Sequence, residues 1–425
     1  MLDIEDRLAQ LKRRIATIDS KFASSRPRSM ASAPAVPSVL SARSFIEQWS
    51  EGQVVSNEFG EHFQTERLFA GHRQHGIADI GALSELPPDL LDTLSENEIP
   101  NSPPERWAFL DTETTGLAGG SGTYAFLTGV GRIVPEGFRV RQFFLREYAE
   151  ERSALAALAA HLSEFDVLIT YNGKTYDQPL LETRYRMSRH KAPFARLNHL
   201  DLLHGARRLW KLRLESCRLI QLEQQILGFE REGDLPGELI PYVYFEYLRS
   251  QEARALIPIF HHNAMDILTL ACLTAVVPAA FRSTDAASLS RVGVRRGEDL
   301  TGIARWSLAS GEHAQSLELF KRAVDAGLPD KLLFHALWQI AQLEKKLGNP
   351  NAALRVYTEL AGCRNEFRCS ALEELAKYYE HEERNYILAL EFTRQALGHE
   401  PSAALTHRRQ RLERRLAKPR PRKLF

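Results

Sequence analysis

From Arg106 onward the chain sets short apolar runs, "WAFLD", "YAFLTGVGRI" and "VRQFFLREY", between glycine-rich or Pro-Glu-Gly turns. Runs of this length, rich in aromatic and β-branched residues, predict three β-strands. The spacing then changes. In "RSALAALAAHL", Leu155, Leu158 and Leu162 recur at i, i+3 and i+7, which is the period of a helix burying one face. "DVLITYNG" predicts a fourth strand, and "DQPLLETRYRMS" begins another helix. From Asp201 to about Phe281 the pattern is mainly helical. Strand–strand–strand–helix–strand–helix over residues 106–282 predicts an α/β domain with a mixed sheet.

The flanks read differently. Leu8, Leu11 and Ile15 fit one short helix within residues 1–24, and "SSRPRSMASAPAVPS" lacks any period. Residues 1–45 are therefore expected to be a helix and a flexible linker. Residues 46–105, with "ELPPDLLD" and "IPNSPPE" at their end, read as an irregular extension into the next domain. Residues 295–400 are helical throughout and repeat: "GEHAQSLELFKRAV", "GNPNAALRVYTEL" and "ERNYILALEFTRQAL" align on Leu317, Leu354 and Leu390, spaced 37 and 36. This period is close to the roughly 34 residues of tetratricopeptide (TPR) units, so the segment is expected to be an all-α, TPR-like domain. Residues 401–425 form a basic tail, with nine Lys/Arg against one Glu from His407 to the end. It is either a solvated end or an arm that attracts phosphate.

Composition narrows the class without choosing a function. At 425 residues the chain suggests two or three domains, and 44% hydrophobic with 26% charged residues is ordinary for a soluble globular protein. A net charge of +1 gives no global attraction to nucleic acid, so any such attraction must be local. Cys217, Cys272, Cys363 and Cys369 show no CxxC spacing, which favours buried thiols in a reducing compartment over a metal site or a disulfide framework. The N-terminal stretch lacks the apolar core of a signal peptide. The apolar run from Ile267 to Phe281 is broken by Pro278 and is too short to span a bilayer. These features predict a cytoplasmic protein with no membrane partner.

The chemistry centres on acids. "ITYNGKTYD" contains the Gly-Lys-Thr that ends a phosphate-binding P-loop, but Leu168 stands where the G-x-x-x-x-G-K-[ST] pattern needs its first glycine. The turn is better read as the one that delivers Asp177. In "FLDTETTGL", Asp111 and Glu113 are two apart on a strand, so alternation points both to one face. Two adjacent carboxylates repel unless a cation lies between them, and such oxygen-rich pairs suit Mg²⁺ or Mn²⁺. Asp177 opens a helix, and Asp266 in "FHHNAMDILTL" leads an apolar helix. Either could simply be favouring the positive end of a helix dipole. Taken together, four acids meet the needs of two-metal phosphodiester hydrolysis, in which cations about 3.5–4 Å apart stabilise the attacking and leaving oxygens.

"DTETTGL", "NGKTYD" and "HHNAMD" resemble, in order and spacing, the three motifs of the DEDD family of RNase H-like 3′–5′ exonucleases. The run "SCRLIQLEQQILGFEREGDLPGELIPYVYFEYL" resembles its YprB-like bacterial branch, whose members join a ribonuclease H-like domain to TPR repeats. The resemblance covers roughly residues 46–282 well and the repeats loosely. It implies two divalent ions, Mg²⁺ or Mn²⁺, held by Asp111, Glu113, Asp177 and Asp266. It also implies that Thr115, Gly116, Asn172 and Tyr176 lie near the substrate, with Lys174 at most a phosphate contact. For the general base, the family's two subgroups point to His261 or His262, and the branch pattern "HNxxD" points to His262. On a helix, His262 shares a face with Asp266 and could take a proton from water near neutral pH. Asp201 is expected either behind the site or as a structural acid. The function implied is a 3′–5′ exonuclease on single-stranded DNA or RNA that meets protein partners through its TPR-like domain. The alternative is a nucleic-acid-binding adaptor with negligible catalysis.

Overall fold

The computed structural model describes residues 46–95, 99–116, 122–282 and 285–417. The expected N-terminal helix, the linker and the last residues of the tail lie outside these. The described chain forms two compact units. One runs to Leu203 and resumes over Arg218–Pro278, and the other joins His204–Cys217 to the chain from Ala279 onward.

The first unit is built on a mixed sheet. Its strands are β1 (Gly52–Asn57), β2 (Gly60–Ala70), β5 (Trp107–Thr114), β6 (Ala125–Val134), β7 (Gly137–Phe144), β8 (Val167–Thr170) and β9 (Asn198–Asp201). A separate two-strand ribbon pairs β3 (Gln74–His75) with β4 (Ala78–Asp79). The large sheet runs β1-β2-β7-β6-β5-β8-β9, antiparallel from β1 to β5 and parallel from β5 through β8 to β9. The expected α/β domain with a mixed sheet is what forms.

The expectation of an irregular segment at 46–105 needs correction, because β1 and β2 extend the sheet beyond β7. Their alternation is hidden in the sequence. β2 buries the adjacent His62 and Phe63 on opposite faces, and His62 counts as polar in any pattern. The turn joining the two strands ends at Gly60, whose φ of +122° suits glycine best.

Helices cover both faces. On one, α1 (Glu151–Leu162) and α2 (Asp177–Met187) pack over Leu110, Val130, Phe143 and Leu168 through Leu155, Leu158, Leu162, Leu181 and Tyr185. After α3 (Leu202–Trp210), a short helix at Leu219–Leu222 runs into a π-helical turn, Glu223–Leu227. Next come α4 (Ile240–Ser250) and α5 (Ile257–Arg282), whose Tyr244 and Phe260 pack with Phe63, Phe126 and Phe144. α5 reaches well beyond the apolar run seen in sequence. The stretch Ala253–Arg282 is long and apolar enough to cross a membrane by length and composition, yet 78% of its most apolar window is buried inside the protein.

Two glycines let α5 lie close to the sheet. Gly129 and Gly131 pair with Asp111 and Phe109 across β5 and β6, so all four residues share one face. A Cβ at Gly129 would meet Asn263 Oδ1 at 2.2 Å, and one at Gly131 would meet Ile267 at 2.5 Å. The "TGVG" in β6 is thus a seat for α5, and through it for the residues that α5 carries.

The second unit is all helix: α6 (Gly297–Ala309), α7 (His313–Asp325), α8 (Asp330–Lys346), α9 (Pro350–Gly362), α10 (Arg368–His381), α11 (Tyr386–His399) and α12 (Ala403–Ala417). Each packs on the next. The aligned leucines Leu317, Leu354 and Leu390 occupy the same place in α7, α9 and α11. The turn two residues before each of these helices also repeats, with left-handed φ of +83° at Gly311, +84° at Gly348 and +54° at Arg384. The third turn keeps the backbone without the glycine.

The first part of the basic tail is not a frayed end. α12 buries Leu405 and Leu412, and its Arg408 and Arg411 lie at 2.7 and 2.6 Å from the buried Glu380. Arg415 lies over the Tyr386 ring, and Arg394 pairs with Glu413. Counting charges in sequence could not show that these arginines already have partners.

Candidate active site

β5 carries the first pair of acids. It lies between β6 and β8, and its first four residues, Trp107 to Leu110, are buried. Near its C-terminal end the same alternation that buries Phe109 turns Asp111 and Glu113 towards α5. Asp111 does not choose its rotamer freely. Asn263 Nδ2 on α5 donates to Asp111 Oδ2 at 2.8 Å, while Asn263 Oδ1 accepts from Gln142 Nε2 at 2.8 Å. Gln142 Oε1 in turn accepts from Thr65 Oγ1 at 3.0 Å. Because Gln142 Nε2 also donates to the Phe260 carbonyl at 2.9 Å, an oxygen that can only accept, each amide in the chain has one orientation. Thr65, Gln142 and Asn263 are buried and Asp111 is half-buried, and a buried line with every partner present fixes geometry more firmly than an exposed one.

Asp177 arrives from the β8–α2 turn. It is the first residue of α2, 6% exposed, and Thr112 Oγ1 donates to its Oδ1 at 2.5 Å. The turn itself is held by Asp201. Asp201 Oδ1 accepts from the backbone N–H of Asn172 at 2.8 Å and of Leu203 at 3.1 Å, and Oδ2 accepts from that of Lys174 at 3.2 Å. Asn172 has a φ of +68°, which asparagine tolerates better than most residues. Of the two roles open to Asp201, the structure therefore gives it the turn. Lys174 enters this network through its backbone N–H.

Tyr176 links the turn to the end of β5. Its hydroxyl donates to Gly116 O at 2.7 Å and lies 3.1 Å from Thr114 Oγ1. Thr115 closes the same loop, its hydroxyl accepting from the backbone N–H of Tyr124 at 2.9 Å.

Asp266 is not at a helix start. It sits well inside α5, so a dipole preference does not account for it. Because α5 begins at Ile257, His262 and Asp266 are one turn apart on the same face, with His262 Nε2 at 3.6 Å from Asp266 Oδ2. His261 points elsewhere, its Nδ1 at 3.1 Å from the Arg67 guanidinium of β2. Burial and the Arg67 charge push the His261 imidazole below its ordinary value. For His262, burial acts in the same downward direction. It is outweighed by the hydrogen bond to Asp234 and the charges of Asp266 and Asp234, and the net shift is upward.

Two residues the sequence did not single out complete the site. Arg231, with a side chain 2% exposed, lies 2.6 Å from Asp266 Oδ1, 2.6 Å from Glu223 Oε2 and 3.3 Å from Asp234 Oδ2. Asp234 faces His262 Nδ1 with both oxygens, at 2.9 and 3.0 Å. Both lie in "FEREGDLPGEL", a stretch without helical or strand period, so only its return to α5 reveals them.

Asp111 and Glu113 respond to the charges of the other acids. Burial first, then the charges of Asp266 and Asp177, hold the Asp111 carboxyl well above its ordinary value. Burial and the charges of Asp111, Asp266, Asp177 and Asp234 do the same to Glu113. Burial lifts Asp177 to about 6, and the Thr112 hydrogen bond offsets only part of that. Like charges crowded in a desolvated place are deficient in positive charge, and Arg231 supplies one. Among the described residues no three carboxylate, imidazole or thiol groups stand as a ready chelate. The donor set, carboxylate oxygens throughout, nevertheless fits a hard divalent cation of the Mg²⁺ or Mn²⁺ kind.

Comparison with known proteins bears on the fold that carries this site. A family model described as the RNase_H superfamily matches residues 108–277, the span holding all four acids. A protein of Bacillus subtilis (strain 168), named "Uncharacterized protein YprB", is 34% identical over 294 residues, covering 68% of each chain. The chain belongs to the YprB family. Its first unit therefore has the RNase H-like fold of a nuclease domain, a type that typically uses divalent metal ions and binds nucleic acid.

Proposed function

We propose that this protein is a metal-dependent nuclease that hydrolyses phosphodiester bonds, working as a 3′–5′ exonuclease on single-stranded DNA or RNA. The observation that carries the proposal is the convergence of Asp111 and Glu113 on β5, Asp177 at the start of α2 and Asp266 on α5, close enough that the charges of Asp266 and Asp177 raise both β5 carboxyls. Burying uncompensated carboxylates costs several kcal/mol, and an adaptor without catalysis gains nothing by keeping them. Asp111, Glu113, Asp177 and Asp266 would hold two Mg²⁺ or Mn²⁺ ions, which supply positive charge to the phosphate and to the attacking and leaving oxygens.

The remaining work falls to side chains of this chain. His262 Nε2 accepts a proton from water as the water oxygen bonds to phosphorus and the bond from phosphorus to the 3′ oxygen of the shortened strand breaks. The leaving oxygen then takes a proton from solvent. Thr115, Gly116, Asn172 and Tyr176 border the terminal nucleotide, and the Lys174 ammonium contacts phosphate. His261, held by Arg67, contributes little to the proton transfer. The helical unit serves as a TPR-like platform for a protein partner, and its repeated turn geometry supports that reading.

Oligonucleotides of DNA and of RNA, labelled at either end and incubated with the protein and Mn²⁺, test the proposal. Mononucleotides released stepwise from the 3′ end are expected. Intact substrate with every label, metal and strand would overturn it.

A further inference from the structure

The segment that follows the π-helical turn has a second use for its charges. After Gly228, whose φ is +68°, the chain loops back so that Arg231 and Asp234 both lie against α5. Arg231 acts as a hub. Its Nε and Nη2 reach the two oxygens of Glu223 at 2.6 and 3.1 Å, its Nη2 reaches Asp266 Oδ1 at 2.6 Å, and its Nη1 reaches Asp234 Oδ2 at 3.3 Å. Asp234 Oδ1 also accepts from the backbone N–H of Leu235 at 3.0 Å. The Asp234 carboxylate is therefore held from two sides, with both its oxygens on His262 Nδ1.

An ionised carboxylate can only accept hydrogen bonds, so the Nδ1 facing it must carry the hydrogen. In a neutral imidazole the lone pair then belongs to Nε2, the nitrogen on the Asp266 side of the ring. That is the tautomer a base needs if it is to take a proton at Nε2. Without an acceptor at Nδ1 the hydrogen is free to sit on Nε2, where it blocks that role.

We infer that Asp234 is a positioning residue: it fixes the tautomer and ring orientation of His262, and Arg231 with Glu223 fixes Asp234 in turn. The inference rests on the nuclease reading of the site for its consequence, but its structural core concerns only Asp234 and His262. Arg231 keeps Glu223 and Asp266 when Asp234 is changed, so an Asp234 variant tests one link of the chain.

The experiment uses the full-length protein with ¹⁵N-labelled histidines, free of metal and at alkaline pH so that the ring is neutral. The His262 signals are assigned by their loss in His262→Gln. The wild type is expected to show a protonated Nδ1 and a bare Nε2. In Asp234→Asn the side-chain amide can donate to Nδ1, so the hydrogen should move to Nε2. With Mn²⁺ and single-stranded substrate, kcat should fall by about 10²- to 10⁴-fold, the range of a base held in the wrong tautomer, with little change in KM. Asp234→Glu, which restores an acceptor, should recover the wild-type tautomer and part of kcat. A wild-type tautomer in Asp234→Asn, or an altered tautomer with unchanged kcat, would overturn the inference. A wild type without turnover would overturn the nuclease reading alone, and the spectra would still decide whether Asp234 sets the tautomer.

Discussion

Asp177 shows what the site imposes on a single side chain. Its carboxyl is held at about 6 against an ordinary 3.8, so between those values the folded protein binds more protons than the unfolded chain. The sign follows: the contribution of Asp177 to stability falls as pH rises from about 4 to 6 and is level above that. Removing the charge with Asp177→Asn should therefore stabilise the metal-free protein relative to wild type by on the order of 2 kcal/mol at pH 8, and by little at pH 4. Thermal unfolding across this range checks it, and parallel curves for the two proteins would contradict it. The Gly-Lys-Thr turn makes the complementary point. Asp201 accepts three backbone N–H groups there, so Asp201→Ala leaves all three unpaired, that of Leu203 in a buried place, and should cost about 1–3 kcal/mol. Lys174→Ala removes a side chain that the turn does not use, and it should leave stability and ATP affinity unchanged. Tight, Lys174-dependent ATP binding in calorimetry would restore the P-loop reading.

Elements deliver these residues, and here the sequence was legible in part. β5, β8, α1 and the acids on them follow from period and alternation alone. The His262–Asp266 pairing follows once α5 is known to start before them. β1 and β2 did not follow, because strand pairing with β7 supplies the order that their own pattern lacks. Arg231 and Asp234 did not follow either, since an aperiodic loop gives no sign of what it returns to. The glycines of β6 were visible as residues but not as a seat. Gly129→Ala should drive a methyl group into Asn263 and Ile267, cost about 1–3 kcal/mol through overpacking, and displace the Asn263–Asp111 hydrogen bond. Turnover should fall together with Tm, whereas an exposed helical glycine with open space around it, Gly398, changed to Ala should spare turnover. A Gly129→Ala protein with wild-type Tm and turnover would mean that α5 is not seated as described.

At the scale of the whole molecule the chain comprises an RNase H-like unit and a helical one, and truncation tests the build of the second. Glu380 is buried and is paired by Arg408 and Arg411 of α12. Ending the chain at Glu400 takes both arginines from that carboxylate and uncovers the apolar surface under Leu405 and Leu412. A loss of about 3–5 kcal/mol from the helical unit is expected, read as a lower-temperature unfolding step, and an unshifted transition would return the segment to a solvated tail. The central claim is that Asp111, Glu113, Asp177 and Asp266 form one hydrolytic site. Single-turnover cleavage of a single-stranded oligonucleotide at saturating Mn²⁺ measures this most directly, in wild type, in Asp111→Asn, Glu113→Gln, Asp177→Asn and Asp266→Asn, and in the double variant Asp111→Asn with Asp266→Asn. Each single change should lower the rate by at least about 10³-fold, and the double variant should be scarcely worse than either single, because groups that act as a unit are lost together. Wild-type rates in any single variant, or losses that multiply in the double, would contradict a single shared site.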